Sequence, residues 1–450
     1  MFKYFTCLSA CCLSALIGCT ALSVAVAQQI DDSGSRPSAM DADTRMLSAA
    51  EIEDVAEFVN SILAIHPDIR AAEASRDAAG ARKRQANRPI YNPEFGADYE
   101  DAVDETYEIG LFQTVDWAGK KKAASAVESS ASLSADAMYL QTRNETAAAI
   151  FRQLSDYWTK LQLLQLASTS SSLLHDFAQQ AGMRYQAGDM MRVEYETAQL
   201  TYAEVKMRKA EIEADLASAA NALMAFGAPV NTNSWPKMPM RIPETALGLR
   251  QVNSVLETLP QVNAARATAD AAAANVELAK SMKKPDPTFG IRVGEEDSES
   301  LVGVSFSIPL YVRNNFDENV MAALGEKSKA EAEADGVERR ARARLIVAIQ
   351  RFTTMRTAWS EWEDVSSLSL DTQTNLLTKL WEARELNMSE FLLQFRQTLA
   401  TQKTAVELRQ TIWDAWIDYL EESNQVETWF KPYAFGLDTH TEVTSPRIDQ

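Results

Sequence analysis

No glycine and no proline occurs between Gly119 and Gly182. Such a run admits one unbroken helix, and at 1.5 Å per residue it would reach roughly 90 Å. The mean helix of a globular protein has about 11 residues, so an ordinary compact domain has little use for it. Its faces are built on small side chains: Ala123, Ala124, Ala126, Ala131, Ala135 and Ala137, then Ala147 to Ala149. Helices this rich in alanine approach one another closely, as in coiled coils. The intervening Glu, Lys, Gln and Ser suit a face turned to water.

The plan occurs twice. "HPDIRAAEASRDAAGARKRQAN" from His66 matches "LPQVNAARATADAAAANVELAK" from Leu259, with Pro67 opposite Pro260. "NPEFGADYE" from Asn92 matches "DPTFGIRVGE" from Asp286, and Phe112 falls opposite Phe306. "MRYQAGDMMRVEYETAQL" from Met183 matches "KLWEARELNMSEFLLQFR" from Lys379 more loosely. A duplicated unit is the economical explanation. Each unit reads as helix, strand, strand, long helix, turn and returning helix. The expected fold class is therefore mainly α with a small β part, in two strand-strand-long-helix units.

The expected organisation follows from the breaks. Residues 51–230 form the first repeat, with strands at about 94–100 and 106–115, a long helix at 119–181 and a returning helix at 191–226. Residues 231–250 link the units. Residues 251–425 form the second repeat, with strands at about 288–295 and 300–310, a long helix at 316–383 and a returning helix at 388–423. Residues 426–450 are a polar, proline-containing tail, expected to be mobile after Trp429. Pro67 and Pro260 sit at helix starts, where proline costs little, and His66 reads as a helix-start residue. Gly188 in "QAGD" supplies a positive φ after the helix, and Asp189 is placed to cap the next one.

The strands alternate. Phe95, Ala97 and Tyr99 share one face, as do Tyr107, Ile109 and Leu111; Phe289, Ile291 and Val293 repeat the pattern, as do Val302, Val304, Phe306 and Ile308. Period-two alternation with one apolar face marks strands. Two strands per unit make about four per chain, which cannot close and would leave open edges. Outer-membrane barrels need about eight or more. Three chains would supply about twelve strands; two chains would supply eight. Trp117 and Tyr311 lie just past the strands, where an aromatic girdle at a membrane interface would stand.

The first 27 residues read as an export signal: Lys3, an apolar stretch from Phe5 to Val24, and Ala25-Val26-Ala27 before Gln28. Residues 28–50 would be an N-terminal extension. Leu16-Ile17-Gly18-Cys19 also fits a lipoprotein pattern with Cys19 as the lipidated residue, and Leu8-Ser9-Ala10-Cys11 fits equally. The four cysteines are Cys7, Cys11, Cys12 and Cys19, so the body offers neither a disulfide framework nor a thiolate metal site. A formal charge of -19 makes nucleic acid a poor partner.

With the repeats, strand pairs and turn motifs in place, the chain resembles the TolC-like outer-membrane efflux proteins over about residues 50–425. "NPEFGADYED" and "QTVDWAGKKKAA" are most similar to the cation-efflux (cobalt-zinc-cadmium type) outer-membrane components. The resemblance implies a homotrimer, with a twelve-stranded β-barrel in outer-membrane lipid on a periplasmic barrel of helices. It implies a passive duct docking a periplasmic adaptor and an inner-membrane pump of the resistance-nodulation-division type. The family's docking tip maps onto Arg184, Tyr185, Gly188 and Asp189 in one turn and Arg384 and Glu385 in the other. Arg384 stands where a glycine is usual. Glu194 and Glu390 match acidic positions near the pore, where rings of carboxylates favour cations; as plain residues they would be solvated helix side chains.

Catalytic chemistry is not expected. The three histidines, His66, His175 and His440, do not pair at metal spacing, and no P-loop, H-E-x-x-H or G-x-S-x-G motif occurs. No cofactor is expected. The leading reading is an export duct, with metal cations as cargo; drugs or secreted proteins are the alternative cargoes. A periplasmic coiled-coil scaffold is the other alternative, and it would not need the alternating strand pairs.

Overall fold

A computed structural model describes residues 39–101, 105–244, 246, 248–296, 299–366, 370–383 and 385–434. The expected export signal, Cys19, residues 28–38 of the extension, Arg384 and residues 435–450 of the tail lie outside them. The chain divides into two compact units, Met1–Arg45 and Met46–Gln450. Residues 39–45 are the described part of the first and are helical. Everything below concerns the second.

The first repeat comprises α1 (Ala39–Leu63), α2 (Pro67–Ala86), β1 (Glu94–Asp101), β2 (Glu105–Thr114), α3 (Lys120–Gln186) and α4 (Arg192–Ala225). The second comprises α5 (Val252–Thr258), α6 (Pro260–Met282), β3 (Thr288–Glu296), β4 (Glu299–Ser307), α7 (Asp317–Ser366), α8 (Leu370–Glu382) and α9 (Met388–Glu422), and α10 (Val426–Ala434) follows. The glycine- and proline-free run thus lies within a single helix of 67 residues, which continues through Gly182 to Gln186 and is about 100 Å long. Asp116 starts it: its carboxylate oxygens accept the Lys120 and Lys121 amides at 2.8 Å each. Pro67 occupies the first turn of α2, and His66 caps that helix by accepting the Asp68 amide on Nδ1 at 3.2 Å.

The span expected as one helix at 316–383 is helical over Asp317–Ser366 and Leu370–Glu382, with residues 367–369 between them outside the description. Several other details depart from the sequence reading. β4 stops at Ser307 rather than 310, because Pro309 has no amide to donate to a ladder. Asp189 does not cap α4; its own amide donates to the Arg184 carbonyl at 2.9 Å and closes the end of α3 instead. The tail is ordered through Ala434: α10 is helical, with Val426 and Phe430 fully buried. The linker is also anchored, since Trp235 and Ile242 are buried in the main core.

Four elements lie side by side at every level. The sheet order is β1-β2-β3-β4, antiparallel throughout. Beyond the strands the helices follow the same order: α2 packs on α3, α3 on α6, and α6 on α7. Further along, α4 packs on α3, α3 on α9, and α9 on α7 and α8. The unit is therefore an open ribbon four elements wide, with α3 and α7 running through two levels. The main core sits where α1, α3, α7, α9 and α10 meet, around Phe151, Phe352 and Trp413. A second core around Phe177, Trp381 and Phe391 lies at the end where the helices turn back.

Candidate functional site

Three regions can act, and the ribbon places them in sequence: the sheet, the strand-to-helix junction and the turned helix ends. In the sheet, register brings the alternating residues of all four strands into rows. Phe95, Leu111, Ile291 and Val304 are neighbours across it, and Ala97, Ile109, Val293 and Val302 form the next row. The large apolar side chains of this face are exposed, from 44% for Val293 to 83% for Val304. Leaving such a side chain in water forgoes about 1.5–3 kcal/mol of burial, so the face as a whole forgoes roughly 20 kcal/mol. Contiguous patches of this kind mark interaction surfaces. The strands have eight to ten residues, close to the 9–11 that a tilted strand needs to cross a bilayer. Among the described residues no helix is long and apolar enough to do so.

The opposite face is small and charged. Gly96, Gly110, Arg292 and Gly303 form one row. The Phe112 ring lies over glycines: a Cβ at Gly96 would stand 3.0 Å from it, and one at Gly290 would collide with it. Arg292 pairs with Glu108 across β2 and β3 at 2.9 Å. The same face carries Glu94, Asp98, Glu100, Glu296 and Glu299, so acid far outweighs base.

At the junction, Lys120 and Asp286 form an ion pair at 2.8 Å with both side chains buried. The Tyr91 hydroxyl donates to the same Asp286 oxygen at 2.7 Å. This joins the first repeat to the second where strands become helices. Removing one partner of such a pair is costly because the other charge stays buried. The basic run at Lys120 was visible in the sequence, but its partner lies 166 residues away, with no local signal. Trp117 is 62% exposed and donates through Nε1 to the Pro285 carbonyl at 2.6 Å. Tyr311 packs edge-on against Phe316, with ring centres 4.9 Å apart.

At the turned ends, Gly188 has φ +80°. Asp189 to Arg184 and Gly188 to Tyr185 backbone bonds close α3 in a Schellman arrangement. The second turn repeats the long bond, from the Glu385 amide to the Leu380 carbonyl at 2.9 Å. Glu194 accepts the Met191 amide at 3.0 Å. Glu390 accepts the Asn387 amide at 3.3 Å, while Asn387 accepts the Glu390 amide at 2.9 Å. Both glutamates thus hold the third position of a helix start, where such a carboxylate satisfies a free amide and faces the positive helix end. The structure ties the two turns through a residue pair the sequence did not suggest: Arg184 stacks on Trp381. Tyr185 stacks on Tyr195 with rings 5.2 Å apart and nearly parallel. Asp189 and Glu385 are exposed.

In the main core, Arg152 reaches Asp418 at 2.8 Å and Glu421 at 2.9 Å, and Arg351 reaches Asp418 at 2.6 Å. Asp414, one turn away, has an Oδ1 atom that is buried without a hydrogen-bond partner. Burial pushes its carboxyl up to about 6, with Arg152 and Arg351 opposing and Asp418 and Asp156 reinforcing the shift. Among the described residues no group of three or more His, Cys, Asp or Glu is arranged to hold a metal ion.

The ribbon has counterparts among solved structures. A structure of CusC, described in terms of folding and transmembrane channel formation, superposes with a TM-score of 0.66 at 16% identity, over 82% of this chain and 92% of that one. The outer membrane protein VceC from Vibrio cholerae gives 0.68 at 16% identity, over 82% and 96%. The CmeC outer membrane channel of Campylobacter jejuni gives 0.68 at 12% identity, over 87% and 90%. No family model matches the chain, and no curated protein matches it. The chain therefore shares the fold of these solved structures over most of the length of either chain.

Proposed function

We propose that the chain is the outer-membrane channel-tunnel of a tripartite efflux system, a passive duct for heavy-metal cations delivered by an inner-membrane pump and a periplasmic adaptor. The observation that carries this reading is the open ribbon. Its sheet has one exposed apolar face, an opposite polar face and two outer edges, on β1 and β4, without a strand partner among the described residues. Lipid satisfies the apolar face, and copies of the same chain satisfy the edges. The two edges differ, β1 on one side and β4 on the other, so copies join head to tail into a ring. Three copies supply twelve strands, enough for a membrane barrel, and the helices below continue the wall into the periplasm.

The acidic face of the sheet then lines the lumen. A lumen dominated by carboxylates favours cations and resists anions, in keeping with the resemblance to cation-efflux components. In this reading the turned helix ends form the tip: Arg184, Tyr185, Gly188, Asp189, Arg384 and Glu385 meet the adaptor, and Glu194 and Glu390 stand near the pore constriction. Trp117 and Tyr311 mark the membrane interface, and Cys19 is a candidate lipid anchor. The pump is of the resistance-nodulation-division type.

Fractionation tests the duct: heat-resistant oligomers in outer-membrane fractions are expected, and a soluble periplasmic monomer would overturn it. Cargo is tested separately, by exposing a deletion strain to divalent and monovalent metals and to drugs. A strain no more sensitive to any metal would defeat the cation assignment and leave the duct standing.

A further inference from the structure

The two hairpins are copies of one plan, so the β2–β3 seam inside the chain is a template for what its outer edges can meet. The Pro-x-Phe-Gly segment that opens β1 recurs at β3 and makes Phe95 the counterpart of Phe289. Phe95 stands opposite Leu111, and Phe289 stands opposite Phe306. Leu111 and Phe306 are therefore counterparts. This moves the sequence match of Phe112 to Phe306 by one residue. Phe112 lies on the small, charged face opposite Gly290, whereas Phe306 lies on the apolar face.

Across the internal seam Leu111 faces Ile291, and Ile109 faces Val293. Exchanging each residue for its counterpart sets Phe306 against Ala97 of a second copy, and Val304 against Tyr99 of that copy. Each pair joins a larger side chain to a smaller one, and the apolar face runs on across the border. A slip of one residue would turn one strand's apolar set to the other face. The same exchange carries into the helices. Inside the chain α3 packs on α6, and their counterparts α7 and α2 meet across the border. A slip of two residues would keep the faces but shift α7 along α2 by about 6.6 Å. On the charged face Gly110 stands opposite Arg292, so Ser305 comes to stand opposite Asp98 of the second copy. The counterparts of Arg292 and Glu108 are Asp98 and Gly303. The border between copies thus lacks the ion pair that crosses the internal seam.

We propose that β4 of one copy pairs antiparallel with β1 of the next in this register, Phe306 opposite Ala97 and Ser305 opposite Asp98. The inference rests on the ring of the proposed duct and adds the alignment at its borders. It commits the free edges to one partner, a second copy of this chain.

The test uses the full-length protein in outer-membrane vesicles. The four native cysteines all precede residue 20, so thiols added to the strands have no competitor in the body. Asp98→Cys is combined in turn with Gly303→Cys, Ser305→Cys and Ser307→Cys. Directly opposite Cβ atoms stand about 4.5–5.5 Å apart and diagonal ones about 7–8 Å, and a disulfide needs the shorter distance. Under copper-phenanthroline oxidation, the combination with Ser305→Cys should give covalent dimers and trimers on boiled, non-reducing gels several-fold faster than the other two. Single variants Asp98→Cys and Ser305→Cys expressed together should give covalent dimers only, because each bond then joins two different copies. Single variants expressed together also repeat the comparison where a double variant does not fold. Fastest closure with Gly303→Cys or Ser307→Cys, or no closure in protein that still runs as a heat-resistant oligomer, would overturn the register and leave the duct standing. A native chain that forms no oligomer would overturn both.

Discussion

The guanidinium carbon of Arg184 lies 4.3 Å from the centre of the Trp381 ring. Trp381 is itself buried, donates through Nε1 to Gln180 at 3.0 Å and packs against Phe177 and Phe391. One side chain from the end of α3 and one from the end of α8 thus hold the two turned ends of a single chain together.

That tie is measurable. A partly exposed cation over an indole contributes about 0.5–1 kcal/mol. A double-mutant cycle of Arg184→Ala and Trp381→Leu, followed by denaturant unfolding, should show a coupling of this size. Strictly additive losses would mean that the stacked pair contributes nothing.

Glu194 and Glu390 separate by substitution. Glutamine keeps an acceptor for the amide at the helix start, whereas alanine removes it and should cost about 0.5–1 kcal/mol per site. The Gln variants should therefore melt near the wild-type temperature. If the carboxylates also line a constriction, the same variants should lower cation-over-anion selectivity in single-channel recordings. Unchanged selectivity would leave the two residues as helix-start groups alone.

Asp414 makes stability depend on pH in a defined direction. Its folded pKa of about 6 lies above the ordinary 3.8 because burial disfavours the charged form. The folded state therefore holds the proton that the unfolded state releases. The contribution is complete below pH 4 and lost as pH rises through 6. Asp414→Asn should stabilise the protein on the order of 2–3 kcal/mol at pH 8 and by almost nothing at pH 4. Thermal unfolding at both pH values checks this; an equal effect at both would contradict it.

Two glycines of the sheet should respond oppositely. A Cβ at Gly290 would collide with the Phe112 ring and the Ser305 hydroxyl, whereas one at Gly303 would meet nothing within 4 Å. Gly290→Ala should lower the yield of heat-resistant oligomers on gels, and Gly303→Ala should not. Equal yields would show that Phe112 moves aside freely.

The long helices and the strand pairs were legible because their signals are local. An interval without Gly or Pro, an alternating face and a proline at a helix start need no distant partner to be read. Tertiary partners left no such mark. Lys120 meets Asp286, and Arg184 meets Trp381, across intervals that no periodicity links. The helix at Val426–Ala434 left no mark for the same reason: "VETWFKPYA" is short and polar in part, and only Phe151 and its neighbours, far along the chain, give Trp429 and Phe430 a place to pack. Asp189 looked like a cap because its side chain is the right type, yet the Schellman geometry after Gly188 uses its backbone.

The inequality of the ribbon's two borders has a genetic consequence. In the head-to-tail ring proposed above, a copy damaged on one border would still attach through the other, join the growing ring and then prevent its closure. In a ring of n copies the wholly intact share falls as the nth power of the intact fraction. Border mutations should therefore act dominantly when both alleles are expressed, whereas mutations that unfold the chain outright should be recessive.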